Sequence, residues 1–182
     1  IASAEFSVHK QDVAPETGFA PGVVTDISGK PQVEANELGN LSLDIPAIDV
    51  NLPIVGIPAN KDGWDLTWLG AKAGWLEGTA YPTWEGNTVI TAHVYLPNGK
   101  PGPFVDLKKL RWGNRFYILS NGMRYTYEVR IVARVKPDDD TILAHEDRDW
   151  VTLVTCAGYD EATGTYKWRD IVKAVLIKVE EE

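Results

Sequence analysis

From Leu41 onward the chain repeats short runs in which apolar residues, many of them Val, Ile, Thr or Tyr, recur at every second position. The runs are LSLDIPAI, VNLPIVGI, NTVITAHVYL, RFYILS, MRYTYEVRIVARV, WVTLVTC and DIVKAVLIKV, with Gly, Pro, Asn and Asp frequent between them. Side chains on a strand point alternately to opposite faces, so this pattern predicts strands with a core-facing side. A helical period is rare. FVDLKKL at 104–110 predicts a turn or two of helix, and 67–74 a second short one. The sum is a mainly β fold, a closed or nearly closed antiparallel β-barrel of about seven to eight strands with one or two short helices. Residues 1–38 carry no sustained period and are punctuated by Pro15, Gly18, Pro21, Gly22, Gly29 and Pro31. They predict an N-terminal tail or linker, leaving 39–182 as one folded domain.

Charge and cysteine content narrow the classes of function. A net charge of −8 argues against nucleic acid and against anionic membrane surfaces as partners. A single cysteine excludes an intrachain disulfide framework. No apolar run approaches the roughly 20 residues needed to span a bilayer, and the chain shows neither an initiator Met nor a leader. It is expected to be either a cytoplasmic fragment or a surface domain trimmed of its targeting segment.

That cysteine, Cys156, ends the β-branched run VTLVTC and is followed by Ala-Gly. A free thiol is only a few per cent thiolate at neutral pH, so a chemical role needs a partner. His9 lies in the tail and His145 in the acidic stretch AHEDRD, both settings for solvated histidines. His93 differs, because it follows a strand pattern and precedes the loop-like LPNGKPGP, where a sheet presents a side chain to a loop-built cleft. Arg169 opens the next strand after Cys156. If the two strands pair antiparallel across the connection 157–168, the guanidinium meets the thiol, where it would stabilise a thiolate or an oxyanion. An ion pair with Asp170 is the competing reading for Arg169.

These residues resemble the sortases, cysteine transpeptidases of bacterial cell surfaces. TLVTC at 152–156 matches the family's TLxTC motif, with Cys156 as nucleophile; TAHVY matches its strand-end histidine, His93, and Arg169 its last-strand arginine. LDIPAIDVNLPIV is similar to the family's opening hairpin, GTAYPTWEGNTVITAH to the approach to the histidine, and FVDLKKLRWGNRFYI to the short helix leading into the next strand. Ala92 departs from the family, where Gly is frequent before the histidine. The resemblance implies attack of Cys156 on the threonine carbonyl of an LPxTG-type signal, a thioester, and resolution by an amine. His93 would be the general acid-base and Arg169 the oxyanion partner. Thr155, Val94 and Trp168 are implied substrate-binding residues.

The implied partners are surface proteins bearing a sorting signal and an amine acceptor on cell wall or pilin. The implied location is the cell surface, with anchoring through a segment absent from this chain. No cofactor is implied and no metal ligand is assigned. Some sortases bind calcium near the loop that here holds Asp138, Asp139, Asp140, Glu146 and Asp147, but a solvated acidic turn is the expectation. Four of the seven tryptophans fall between Trp64 and Trp84, a carbohydrate platform or the packing of a long loop. In the tail, Ala14, Pro15, Glu16, Thr17 and Gly18 read APETG, a pseudo-substrate candidate for the protein's own cleft. A papain-like peptidase would need its cysteine before its histidine and at a helix N-terminus, the reverse of this order. A sortase-fold hydrolase, an inactive homologue and a non-catalytic pilus or surface subunit are the remaining alternatives.

Overall fold

The computed structural model describes residues 37–61 and 63–182. Among them the strands are β1 (Glu37–Ile45), β2 (Val50–Ile57), β3 (Ala59–Asn60), β4 (Gly63–Trp64), β5 (Ala73–Leu76), β6 (Gly86–Thr91), β7 (Arg115–Ser120), β8 (Met123–Val135), β9 (Asp149–Asp160) and β10 (Thr165–Glu181). Eight of these close a barrel in the order β1-β2-β5-β6-β9-β10-β8-β7, with β7 returning to β1. The short β3 and β4 pair separately.

The opening hairpin turns on a 3-10 helix, Pro46–Ile48, which Pro46 favours by its fixed φ. Asp49 caps it in the left-handed conformation, φ 61°, with its N–H donating to the Pro46 carbonyl. Closure and strand number are as the alternating pattern predicts. The barrel is mixed rather than wholly antiparallel, because β2 with β5 and β6 with β9 run parallel. Parallel neighbours require a crossover, and the β6–β9 crossover contains β7 and β8. Local alternation marks a strand without marking its neighbour.

The helical turn expected at 104–110 is a 3-10 helix, Leu107–Lys109, whose Leu107 is buried. The helix expected over 67–74 does not form. Gly70 turns the chain at φ 60°, and Ala73 and Gly74 join the β2 ladder instead. A Cβ on Gly74 would stand 2.1 Å from Ile57 Cδ1, so a larger residue here would require the buried Ile57 side chain to move. A further 3-10 helix, Asp140–Leu143, lies within the acidic stretch.

Two apolar clusters use opposite faces of the same strands. Ile54, Ile90, Val151, Leu153, Val172 and Ala174 belong to the cluster that also holds Phe104, Phe116 and Tyr127. Val55, Val89, Val154 and Ile171, one residue out of phase, join Leu69 and Leu76 in the second. Burial on both faces explains why β6 and the start of β9 read as nearly continuous apolar runs. All six residues of β6 are buried.

Asn87, 1% exposed, links the second cluster to the acidic loop. Its Nδ2 donates to the carbonyls of Ile142 and Ala144 (2.8 and 3.0 Å), and its Oδ1 accepts from Thr152 Oγ1 (2.8 Å). Asn87→Ala strands a buried hydroxyl and two carbonyls, so it should destabilise the fold by about 2 kcal/mol or more. Urea denaturation monitored by tryptophan fluorescence measures this; an unchanged midpoint would show that the loop is not held through Asn87.

Candidate active site

β9 carries the site between two partners. The face alternation that sends Leu153, Thr155 and Ala157 inward turns Val154 and Cys156 toward the second cluster. Across the β9–β10 ladder Cys156 stands directly opposite Arg169, a spacing of about 5 Å between Cβ atoms in such pairs. On the other edge Thr91 pairs with Val154. Two side-chain bonds extend that joint: Thr91 Oγ1 donates to the Val154 carbonyl (3.0 Å), and Thr155 Oγ1 donates to the Ala92 carbonyl (2.8 Å). Ala92 immediately precedes His93, and Thr155 immediately precedes Cys156. The second bond therefore brings the histidine and the cysteine to the same level on adjoining segments.

His93 is held from both ends. Its ring Nε2 lies 3.0 Å from the Leu66 carbonyl, an oxygen that only accepts, so Nε2 carries the proton and Nδ1 is the nitrogen left to gain or lose one. The Leu66 carbonyl is itself fixed, because it accepts from Leu69 N–H (3.1 Å) while Asp65 Oδ1 accepts from the backbone N–H and the hydroxyl of Thr67 (2.9 and 2.7 Å). The main chain of His93 is pinned from the 94–104 loop, where Phe104 N–H donates to its carbonyl (3.1 Å) and Gly102 N–H to the carbonyl of Val94 (2.9 Å). A Cβ on Gly102 would lie 2.3 Å from His93 O. Only glycine permits this approach.

Burial pushes the Cys156 thiol above its ordinary pKa, and the positive charge of Arg169 offsets part of that rise. Arg169 makes no ion pair with the described residues; Nη1 donates to the Trp168 carbonyl (3.1 Å). Asp170, its competing partner in the sequence reading, accepts instead from Arg134 Nε and Nη2 (2.7 and 3.1 Å). Successive strand residues face opposite ways, so Asp170 cannot share the face of Arg169.

Two clefts, each of about 240 Å³, meet at a wall made by Thr155 and Cys156. One is mainly apolar, lined by Trp64, Leu66, Leu76, Ile142 and Leu143, with Arg169 beside the cysteine. The other carries Tyr95, Tyr159 and Tyr166 together with Lys108, Arg134 and Asp170. Val94 lines this second cleft. Thr155 borders both with its hydroxyl engaged by Ala92. Trp168, 38% exposed, covers Gly158, whose φ of 65° and lack of a Cβ admit the indole.

Ala14, Pro15, Glu16, Thr17 and Gly18 lie outside the described residues, as does His9. His145 is exposed and its ring packs on Gly86. In the acidic stretch Asp139 caps its 3-10 helix by accepting from Thr141 N–H, and Glu146 pairs with Lys173. No group of three or more acidic, His or Cys side chains among the described residues is placed to hold a metal ion. Two tryptophans of the 64–84 span are structural: Trp64 Nε1 donates to Glu77 O and Trp75 Nε1 to Ala80 O. The Leu66 carbonyl, Lys108, Arg134 and Tyr166 were not singled out from sequence. A backbone carbonyl leaves no residue signal, and the other three meet only through closure of the barrel.

A family model described as the sortase domain matches residues 43–177. Sortase A of Bacillus anthracis is 26% identical over 150 residues, spanning 78% of this chain and 67% of that protein. Among solved structures, a lid mutant of sortase A from Corynebacterium diphtheriae superposes with a TM-score of 0.66 at 30% identity, covering 82% of this chain and 74% of that one. A Clostridium perfringens sortase D5 transpeptidase gives 0.61 at 29% identity, covering 77% and 79%.

The raised thiol pKa makes a direct prediction. Alkylation of Cys156 by iodoacetamide should climb with pH to a midpoint above the ordinary value of about 8.5. Arg169→Gln, which removes the charge that lowers the pKa, should move that midpoint higher still. A midpoint near neutrality in the unaltered protein would contradict this account of the electrostatics.

Proposed function

Since the chain belongs to the sortase family, we propose that it is a cysteine transpeptidase that cleaves an LPxTG-type signal between Thr and Gly and joins the Thr carboxyl to an amine. The observation that supports this reading is a half-buried thiol directly across a strand pair from an arginine with no ion-pair partner among the described residues, with a doubly anchored histidine just past the end of the neighbouring strand and a cleft on each side of the cysteine. A peptidase needs a cleft for its acyl donor and room beyond the thiol for the leaving fragment. An acyl transferase also needs a place for the acceptor.

The apolar cleft receives the signal, and Arg169 donates to the carbonyl oxygen of the threonine. Cys156 loses its proton to His93 Nδ1 as sulfur attacks, so the negative charge on the tetrahedral oxygen forms beside a guanidinium already in place. Collapse breaks the C–N bond, and His93 returns the proton to the departing glycine amine, leaving a thioester on Cys156. In the second half a neutral amine attacks the thioester carbonyl. His93 takes its proton, the C–S bond breaks with its electron pair going to sulfur, and His93 returns the proton to the sulfur, restoring the starting state.

In this reading residues 39–182 are the catalytic domain, Thr155 and Trp168 border the bound peptide, and Val94 borders the substrate on the far side of the thiol, in the second cleft. The protein works at the cell surface on proteins bearing a sorting signal, with an acceptor amine on cell wall or pilin.

Incubation with an LPxTG-type peptide should add the acyl mass to Cys156 by intact mass spectrometry, and Cys156→Ala should abolish that adduct. His93→Ala and Arg169→Ala should each lower turnover at least about a hundredfold. Transpeptidation retained by Cys156→Ala would remove the mechanism. Chelator should leave turnover unchanged; loss of activity restored by calcium would assign the 138–147 loop a metal after all.

A further inference from the structure

Resting on that reading, we propose that the tyrosine-lined cleft is the acceptor subsite and that it selects amines carried on a molecule with a free carboxylate. The cleft reaches Cys156 from the side opposite the apolar one, so a group held there meets a thioester across the cysteine. Its two cations are available. The Lys108 side chain is exposed and its ammonium makes no ion pair or hydrogen bond with the described residues; only its backbone carbonyl is engaged, by Arg111. Arg134 spends Nε and one Nη2 hydrogen on Asp170, and its Nη1 has no partner among the described residues.

Asp170 fixes this arrangement rather than cancelling it. Its side chain is 12% exposed and both its oxygens accept from Arg134, so one carboxylate is consumed by one guanidinium and the charge of Lys108 is left over. A local excess of positive charge is unusual on a chain of net charge −8. A shallower groove of about 340 Å³ shares Lys108, Arg134 and Asp170 and continues over Val132 and Ala133, extending the cationic floor away from Cys156. The opposite end is aromatic: Tyr159 and Tyr166 pack with ring centroids 5.0 Å apart, and Tyr95 completes that side. Aromatic faces attract an incoming ammonium before it loses its proton. Forked and ammonium donors favour an anion at the far end. The site thus complements a zwitterion read lengthwise, its amine toward Cys156 and its carboxylate toward Lys108 and Arg134.

Nα-acetyl-lysine and Nα-acetyl-lysinamide share one reactive amine and differ only in the carboxylate, so they isolate this feature. Titrated by NMR into the full-length Cys156→Ala chain, the carboxylate form should bind at least about tenfold more tightly, as expected for charge-assisted hydrogen bonds. It should shift resonances of Lys108 and Tyr166, and the preference should vanish in Lys108→Glu, a change at an exposed position. In the unaltered protein the same form should resolve the Cys156 thioester about tenfold faster at equal concentration. Equal binding of the two compounds, or a preference that survives Lys108→Glu, overturns the proposal. A preference seen instead for donor peptides ending in a free glycine carboxylate over glycinamide places the anion on the leaving fragment and also overturns it. Failure to form any thioester, with the titration as expected, counts against the transpeptidase reading alone.

Discussion

The parallel joint between β6 and β9 is the constraint on which the site depends. Its ladder ends at Thr91 and Val154, two residues before His93 and Cys156, and two threonine hydroxyls carry the pairing further. Without the bond from Thr155 to the Ala92 carbonyl, the segment after β6 would have no interstrand reason to keep His93 level with Cys156. On the other edge Cys156 and Arg169 need no such device, since they are an ordinary cross-strand pair within a long antiparallel ladder. The two sides of the thiol are thus held by different means.

Burial on both faces of β6 and β9 supplies the rigidity that this alignment requires. A strand with one wet face can slip or fray, whereas here a one-residue slip would exchange the contents of two apolar clusters at once. The loops then add direction. Leu66 reaches the imidazole from the segment between β4 and β5, and the 94–104 loop holds the histidine main chain through hydrogen bonds that only a glycine at 102 allows.

Much of this was legible in the sequence, because strands and their faces follow from period-two alternation. The run VTLVTC with a later Arg169 was enough to place a cysteine opposite an arginine, since a hairpin is a local event. The parallel joints were not legible, for they depend on a crossover that carries β7 and β8. The short helix expected over 67–74 failed for a related reason: Ala73 and Gly74 pair with Ile54 and Val55 of β2, a partnership that local composition does not announce. Asp170 was read as a partner for Arg169 from adjacency in sequence, which on a strand means opposite faces. The Leu66 carbonyl left no trace, because every residue has one.

The elevated thiol pKa has a further meaning for chemical durability. Oxidation of cysteine proceeds through the thiolate, so a sulfur kept protonated by burial reacts slowly with peroxide and with disulfides. The sequence holds no second cysteine, so a sulfenic acid on Cys156 could not be trapped as an internal disulfide and would stay open to further, irreversible oxidation. Burial of the thiol therefore sets how long the sulfur survives in its reduced form, independently of what it reacts with.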